Sequence, residues 1–323
     1  MPKILHTARY TGLPLEILQR SCPEGFTVKT LDEATHEQLV KEAIDADYFL
    51  VSGRLPIDKA VLDHAPHLKM IQRTGVGTEM LDPDEIKKCG IPVYVNAGVN
   101  AQSVAEHTLT LVLACLKRLP QINRQMHEGV WKKQLTGVTT HELKDKTVAM
   151  VGMGNIGHLV AQMLQAFGAK VIYTDVFRQT KDVEEKLELT YFDSFEAMLP
   201  QADILSFHCP LTKENTEMLN QRTLAMVKEG AIVVNTARGK LINPDDLYNA
   251  VKSGHIRAAA LDTHYEEPIK EGYKLAEMDN IILTPHIGGL SYEAFESMMQ
   301  RAMENICHFE NSEMDLIKGN RIL

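Results

Sequence analysis

Val148-Ala149-Met150-Val151-Gly152-Met153-Gly154-Asn155-Ile156-Gly157 is an apolar run that ends in Gly-x-Gly-x-x-Gly and passes directly into a helical pattern. Asp175 stands eighteen residues after the last glycine and closes a second apolar run, Val171-Ile172-Tyr173-Thr174. Strand, glycine turn, helix, strand and acid, in that order, are the parts of a βαβ unit that binds a dinucleotide. Gly152 permits the tight turn, Gly154 lets backbone approach a pyrophosphate, and Gly157 lets the helix lie close to the strand. The N–H groups and positive dipole end of the helix opening at Asn155 and Ile156 then face the phosphates. Asp175 suits a ribose diol and repels a 2′-phosphate, which favours NAD over NADP, whereas the nearby Arg178 works in the opposite sense. The bland alternative is a glycine turn with no ligand; the strand on either side and the acid at the right distance argue against it.

Around this stretch the chain has 323 residues, more than one hydrophobic core usually serves, so two domains are expected. Its 44% hydrophobic and 24% charged content is that of an ordinary globular protein. A formal net charge of −9 argues against a general nucleic-acid binder but not against a local basic pocket for one small anion. Five scattered cysteines without a CxxC pair argue against a disulfide framework or a zinc site, and no metal is expected. The N-terminus shows no signal-peptide pattern and no run approaches a membrane span, so a cytoplasmic protein is expected.

Strands alternate with helices along the first hundred residues, which predicts a parallel sheet wound on both faces. Two of its strands end at Ser52-Gly53-Arg54 and Arg73-Thr74-Gly75-Val76-Gly77. Ligands sit at such carboxyl ends, so Arg54, Arg73 and the backbone N–H groups of Val76 and Gly77 are candidates for holding a carboxylate. Asn96 to Asn100 reads as a hinge. The helix beginning at Ser103 is apolar on more than one face, so its Glu106 and His107 read as structural. The polar stretch Leu119 to Glu142 reads as an extended arm. Met218 to Met226 and Asn243 to Ser253 read as helices, and Tyr292 to His308 as a long helix that returns to the first lobe.

In the nucleotide-binding half, four later strand ends present His208, Arg238, Asp262 and His286, with Glu267 five residues beyond Asp262. Shared strand polarity puts them at the nicotinamide end of a dinucleotide. Hydride transfer to a 2-keto acid needs a cation for the carboxylate and carbonyl, an acid titrating near neutrality, and a carboxylate that orients that acid. Arg238, His286 and Glu267 are of those three types. Spacing alone does not select them from 13 histidines and many arginines.

The sequence resembles the D-isomer-specific 2-hydroxyacid dehydrogenase family, relatives of phosphoglycerate dehydrogenase and hydroxypyruvate reductase. The resemblance rests on Arg73–Gly77, Ser103–His107, Val151–Gly157, His208-Cys209-Pro210-Leu211-Thr212, Asn235-Thr236-Ala237-Arg238-Gly239, Ala260-Leu261-Asp262, Glu266-Glu267-Pro268 and Thr284-Pro285-His286-Ile287-Gly288-Gly289. It implies two doubly wound parallel-sheet α/β domains: a Rossmann cofactor domain, 99–290, inserted into a flavodoxin-like substrate domain made of 1–98 and 291–323. It also implies NAD as cofactor and interconversion of a D-2-hydroxy acid with its 2-keto acid. Arg238 would bind the substrate carboxylate and carbonyl, and His286 would move the proton with Glu267 as partner. Gly152, Gly154, Asn155, Ile156, Gly157, Asp175, His208, Pro210, Thr236, Ala237, Asp262 and Gly288 would line the cofactor. Arg54, Arg73, Val76 and Gly77 would face the substrate, and a homodimer would be built partly on the helix near Glu106. The chain departs from the family pattern at the hinge, Val95-Asn96-Ala97-Gly98, and at Thr263-His264-Tyr265 after Asp262. Other readings are an NAD(H)-sensing binding protein resembling the family's corepressor relatives, and a dehydrogenase of a different small anion.

Overall fold

Short runs rich in valine, isoleucine and aromatics, each followed by a helical segment, leave the chain two ways to bury both sheet faces: helices above and helices below. The computed structural model shows this arrangement twice. It describes residues 1–53 and 55–323; Arg54, a substrate-binding candidate, lies outside the described residues. The chain divides into two units, Met1–Asn100 with Ser291–Leu323, and Ala101–Leu290.

The first unit contains strands β1 (Lys3–His6), β2 (Thr27–Thr30), β3 (Tyr48–Val51), β4 (Met70–Arg73) and β5 (Val93–Tyr94). All pair in parallel in the order β2-β1-β3-β4-β5, the flavodoxin-like order. Alternate residues serve opposite faces. Leu5, Phe49, Val51, Ile71 and Val93 belong to one core, and Ile4, Tyr48, Leu50, Met70 and Tyr94 to the other. The helix Tyr292–Glu310 joins the second core through Met298, Met299, Ala302, Met303 and Ile306. Burying each of these methionines and Ile306 stabilises by about 1.5–3 kcal/mol. A polar tie fixes the helix register. Buried Asn305 donates to Gln72 Oε1 at 3.2 Å and to Asn96 Oδ1 at 3.3 Å, and Asn96 donates to the Met298 carbonyl at 2.9 Å. Beyond that helix the chain's end pairs with β5, Ile322 N–H donating to the Val93 carbonyl at 2.9 Å.

The second unit contains β6 (Thr147–Val151), β7 (Lys170–Thr174), β8 (Leu189–Tyr191), β9 (Ile204–Phe207), β10 (Ala231–Asn235), β11 (Ile256–Leu261) and β12 (Ile281–Leu283). They form one parallel sheet in the order β12-β11-β10-β9-β6-β7-β8. Renumbered within the unit this is the Rossmann order 3-2-1-4-5-6 with one strand added at the edge. The order reverses between β6 and β9, which puts the ligand crevice beside the glycine turn that follows β6. Helices Ala101–Lys117 and Asn155–Ala166 share a core on one face with Val148, Met150, Ile232 and Val234. No helix among the described residues is long and apolar enough to cross a membrane.

Two local expectations are corrected. The stretch Leu119 to Glu142 is not an extended arm: it holds helices Leu119–His127 and Lys133–Gly137. Pro120 sits in the first turn, where its missing N–H costs nothing, and Leu119, Ile122 and Met126 make a helical stripe that the surrounding polar residues obscure. The helix expected over Met218 to Met226 shrinks to Gln221–Leu224 because Asn220 caps it, its side chain accepting from the N–H groups of Arg222 and Thr223. Thr35 caps the helix His36–Glu42, accepting from the Gln38 N–H at 3.3 Å.

Candidate functional site

The glycine turn is shaped by what a side chain would strike. Gly152 has φ 99°, and a Cβ there would stand 2.8 Å from the backbone of His208 and Cys209. The turn after β6 thus lies against the loop after β9. A Cβ at Gly157 would stand 2.6 Å from the Gly152 carbonyl oxygen, so the helix packs directly on the turn. Gly154 differs: nothing lies within 4 Å of its Cβ position, and as N-cap it contributes no side-chain bond to the helix Asn155–Ala166. The first-turn N–H groups therefore open onto space rather than onto a capping side chain. Across the turn, Asp175 accepts from the Met153 N–H at 2.6 Å and the Phe177 N–H at 3.0 Å. Its carboxylate is thereby fixed beside the glycines. Open helix donors, a cradle without a Cβ and a positioned acid are the fittings a dinucleotide needs.

On the other side of the crevice, Asp262 follows β11 and is buried. Burial alone would raise its pKa. Hydrogen bonds from His107, the Thr284 hydroxyl at 2.6 Å, and the N–H groups of Ile287 at 2.9 Å and Gly288 at 2.8 Å outweigh it and hold the carboxyl down at about 2. These bonds bend the chain sharply after β12. His286 takes φ 58°, a left-handed conformation that costs a non-glycine residue about 1–2 kcal/mol. Its N–H donates to the Asp262 carbonyl at 2.8 Å. Gly288 must be glycine, because a Cβ would stand 2.9 Å from Asp262 Oδ2.

The bend sends the His286 ring to Glu267. Nδ1 lies 2.8 Å from Glu267 Oε2. A carboxylate only accepts, so Nδ1 carries the proton and Nε2 is the ring nitrogen not used in this bond. The second Glu267 oxygen accepts from the His264 N–H at 2.8 Å, which orients the carboxylate. The His286 side chain is 44% exposed and that of Glu267 19%.

Arg238 is placed by the loop after β10. Fully buried Asn235 holds that loop, its Oδ1 accepting from the Ala237 N–H at 3.0 Å and its Nδ2 donating to the Arg238 carbonyl at 2.9 Å. One Arg238 guanidinium nitrogen donates to the Ala237 carbonyl at 2.8 Å. A Cβ at Gly239 would stand 2.0 Å from the His264 carbonyl. That contact lays the Arg238 loop against the segment bearing Glu267.

The remaining candidates divide. The Thr236 hydroxyl is spent on Thr108 at 2.8 Å, and the Pro210 carbonyl accepts from Asn215 at 2.8 Å. Burial lowers the pKa of His208 to about 4; its Nε2 lies 2.8 Å from Ser206 Oγ and its Nδ1 is buried without a partner among the described residues. In the first unit, Arg73 donates to the carbonyls of Gly77 at 2.6 Å and Val51 at 3.3 Å. It thereby pins the loop whose Val76 and Gly77 N–H groups make no hydrogen bond among the described residues. Sequence reading missed His107 and Thr284 as the partners that hold Asp262. Both lie in stretches that carry the family resemblance, Ser103–His107 and Thr284–Gly289, but neither stretch states what its residue bonds. His264 is structural, its Nε2 bonding to the Thr284 carbonyl at 2.9 Å and its ring edge-on to Tyr273.

A Rossmann crevice that meets an imidazole–carboxylate pair and an arginine defines a nucleotide-dependent oxidoreductase. Residues 109–288 match the model of the D-isomer specific 2-hydroxyacid dehydrogenase NAD binding domain. The chain is 36% identical over 315 residues to the glyoxylate reductase of Thermofilum pendens, covering 97% of this chain and 93% of that one. It is 36% identical to the D-3-phosphoglycerate dehydrogenase of Methanocaldococcus jannaschii over 91% of its own length but only 55% of that protein's. Among solved structures, the NAD-dependent formate dehydrogenase of Staphylococcus aureus in complex with NAD superposes with a TM-score of 0.83 at 26% identity, covering 97% of this chain and 96% of that one. The chain belongs to the D-isomer-specific 2-hydroxyacid dehydrogenase family, and its cofactor is NAD.

Proposed function

We propose that this protein reduces a small, unphosphorylated 2-keto acid to the D-2-hydroxy acid, and runs the reverse oxidation, with His286 as the acid and base. The observation that carries the reading is the 2.8 Å bond between His286 Nδ1 and Glu267. It fixes the ring and leaves Nε2 to give or take the substrate proton. NADH supplies the hydride when bound. Arg238 holds the carboxylate and polarises the carbonyl, stabilising charge that develops on its oxygen. Gly152, Gly154, Asn155, Ile156 and Gly157 receive the pyrophosphate and Asp175 the adenosine ribose. Asp262 and Gly288 shape the nicotinamide side. The first unit acts as the substrate domain.

Two observations favour glyoxylate or hydroxypyruvate over a phosphorylated acid. The match to the glyoxylate reductase runs nearly end to end. Arg73, the cation a phosphate would recruit in the first unit, directs two donors to protein carbonyls. A panel of glyoxylate, hydroxypyruvate, phosphohydroxypyruvate and formate, followed at the nicotinamide absorbance, tests this. The highest kcat/KM is expected with one of the first two. Turnover of none of the keto acids would abandon the reading in favour of an NAD(H)-sensing protein, and turnover of formate alone would reassign the substrate. Homodimerisation is part of the same proposal. It is supported by the exposed Leu119, Met126 and Leu135 on the two short helices and Trp131 between them, and sedimentation gives the mass directly.

A further inference from the structure

The loop after β7 carries two opposed instructions. Asp175 fits an unmodified ribose, while an arginine close behind such an acid is what a 2′-phosphate recruits. Arg178 is that arginine, and the structure shows where its donors go. Nε and Nη2 donate to the two carboxylate oxygens of Glu184 at 2.9 and 2.8 Å, a bidentate pair. The guanidinium carbon lies 4.9 Å from the centre of the Tyr191 ring, a distance at which cation and ring attract. Glu184 is itself held: Tyr173 OH donates to its Oε1 at 2.7 Å, and its side chain is only 10% exposed, against 55% for Arg178. Gln179 closes the loop onto the glycine turn. Its N–H donates to the Tyr173 hydroxyl at 2.9 Å and its Nε2 to the Met153 carbonyl at 3.1 Å.

The anchor is therefore the glutamate. It is pinned from the sheet by Tyr173 and faces the arginine with both oxygens. The Arg178 and Tyr173 hydrogen bonds hold the Glu184 carboxyl down at about 2, so the pair stays ionised throughout the neutral range. An arginine paired bidentately through Nε and Nη2 and stacked on a ring gives up both contacts if it turns to a ligand phosphate.

We propose that Glu184 is a cofactor-selecting residue: by holding Arg178 against Tyr191 it withdraws the one cation of this loop from the 2′-position, and Asp175 and Glu184 together enforce NAD. The proposal rests on Asp175 lying beside the adenosine ribose. It follows that the two carboxylates act jointly. Removing Asp175 alone lifts a repulsion but supplies no partner for a phosphate. Removing the Glu184 charge alone releases Arg178 but leaves the repulsion.

Calorimetric binding of adenosine 2′,5′-bisphosphate and of ADP-ribose tests this without any turnover. Asp175→Ser and Glu184→Gln should each improve bisphosphate binding by no more than about threefold. The double variant should improve it by about tenfold or more beyond the product of the two, because the residues act on one ligand group. Adding Arg178→Ala to the double variant should abolish that surplus. A double variant no better than Asp175→Ser, or a surplus that survives Arg178→Ala, overturns the proposal. If Glu184→Gln does not fold, Asp175→Ser with and without Arg178→Ala still decides. With the pair intact, Arg178→Ala should leave bisphosphate affinity within about twofold, whereas a roughly tenfold loss shows the arginine already reaching the phosphate and overturns the proposal. ADP-ribose separates the two levels of inference. If the wild type fails to bind it, the placement of the ribose falls and the role of Glu184 with it; normal binding without an Arg178-dependent gain removes the role of Glu184 alone.

Discussion

His6 and His286 stand at or just beyond the carboxyl ends of strands, one in each unit, and strand position alone does not separate them. Their surroundings do. His6 is fully buried, its Nε2 bonded to the Ser52 hydroxyl, its Nδ1 3.3 Å from Thr30 Oγ1, and its ring 4.2 Å from that of Tyr10. Burial lowers its pKa to about 4, against a smaller opposing effect of the Ala8 backbone. His286 is part exposed and bonded to a carboxylate. A hydroxyl can satisfy a neutral imidazole in either tautomer, but only an ionised carboxylate both fixes the tautomer and supports the imidazolium that proton transfer creates. The partner, more than the position, separates a packing histidine from one equipped for acid–base work.

The sharpest way to break that contrast is to remove His286. His286→Asn should lower kcat by roughly 10²–10⁴ while leaving the NADH dissociation constant, read by fluorescence titration, nearly unchanged. Turnover within about twofold of wild type would return His286 to the class of His6. Glu267→Gln comes next. It preserves the shape of the bond and removes its charge, and kcat should fall by about 10²–10³, because an orienting carboxylate acts only through its imidazole. If the loss appears in KM alone, the carboxylate is serving substrate binding instead.

The contrast also marks what the sequence could convey. The glycine turn was legible because its chemistry is contiguous: Gly152, Gly154 and Gly157 act through backbone, and the strand before and helix after them are local. Both sheets were legible as strand–helix alternation. The rim was not, because its logic is long-range. Asp262 is saturated by Thr284, Ile287 and Gly288, more than twenty residues on, and by His107 on a helix far upstream. The family resemblance named His286 and Glu267; no spacing rule places the two rings of contacts that bring them within 2.8 Å. His208 shows the cost of the same blindness, sharing a rim position with His286 yet bonded to the Ser206 hydroxyl instead of a carboxylate. The helices Leu119–His127 and Lys133–Gly137 escaped notice because a stripe of three apolar residues, Leu119, Ile122 and Met126, among polar ones is a weak periodic signal.

The third prediction concerns pH. The folded pKa of His6 lies below its unfolded value near 6.5. Between about pH 4 and 6.5 the unfolded chain therefore binds more protons, and stability rises with pH. The His6 contribution is fully present above 6.5 and is lost as pH falls toward 4, by up to about 3 kcal/mol. Denaturant unfolding of wild type and His6→Gln at pH 7 and pH 4.5 reads the difference, and the variant should lose less on acidification. An equal loss in both would show that burial of His6 is not what the acid limb reports.

The smallest effect is expected at Ser52. Its hydroxyl is shared, bonding to His6 Nε2 and accepting from the Tyr10 hydroxyl at 3.2 Å. Ser52→Ala removes both contacts and leaves a buried imidazole nitrogen without a partner, which costs about 1–3 kcal/mol. The backbone and the rest of the β1 and β3 packing stay as they are, so the unfolding midpoint should shift without a change in denaturant slope. A cost near zero would mean that the ring turns to Thr30 or to water, and that the hydroxyl pair merely accompanies His6. A measurable cost assigns His6 to the first unit's internal framework, held by hydroxyls that cannot carry charge, and leaves His286, with its carboxylate, as the histidine suited to proton transfer.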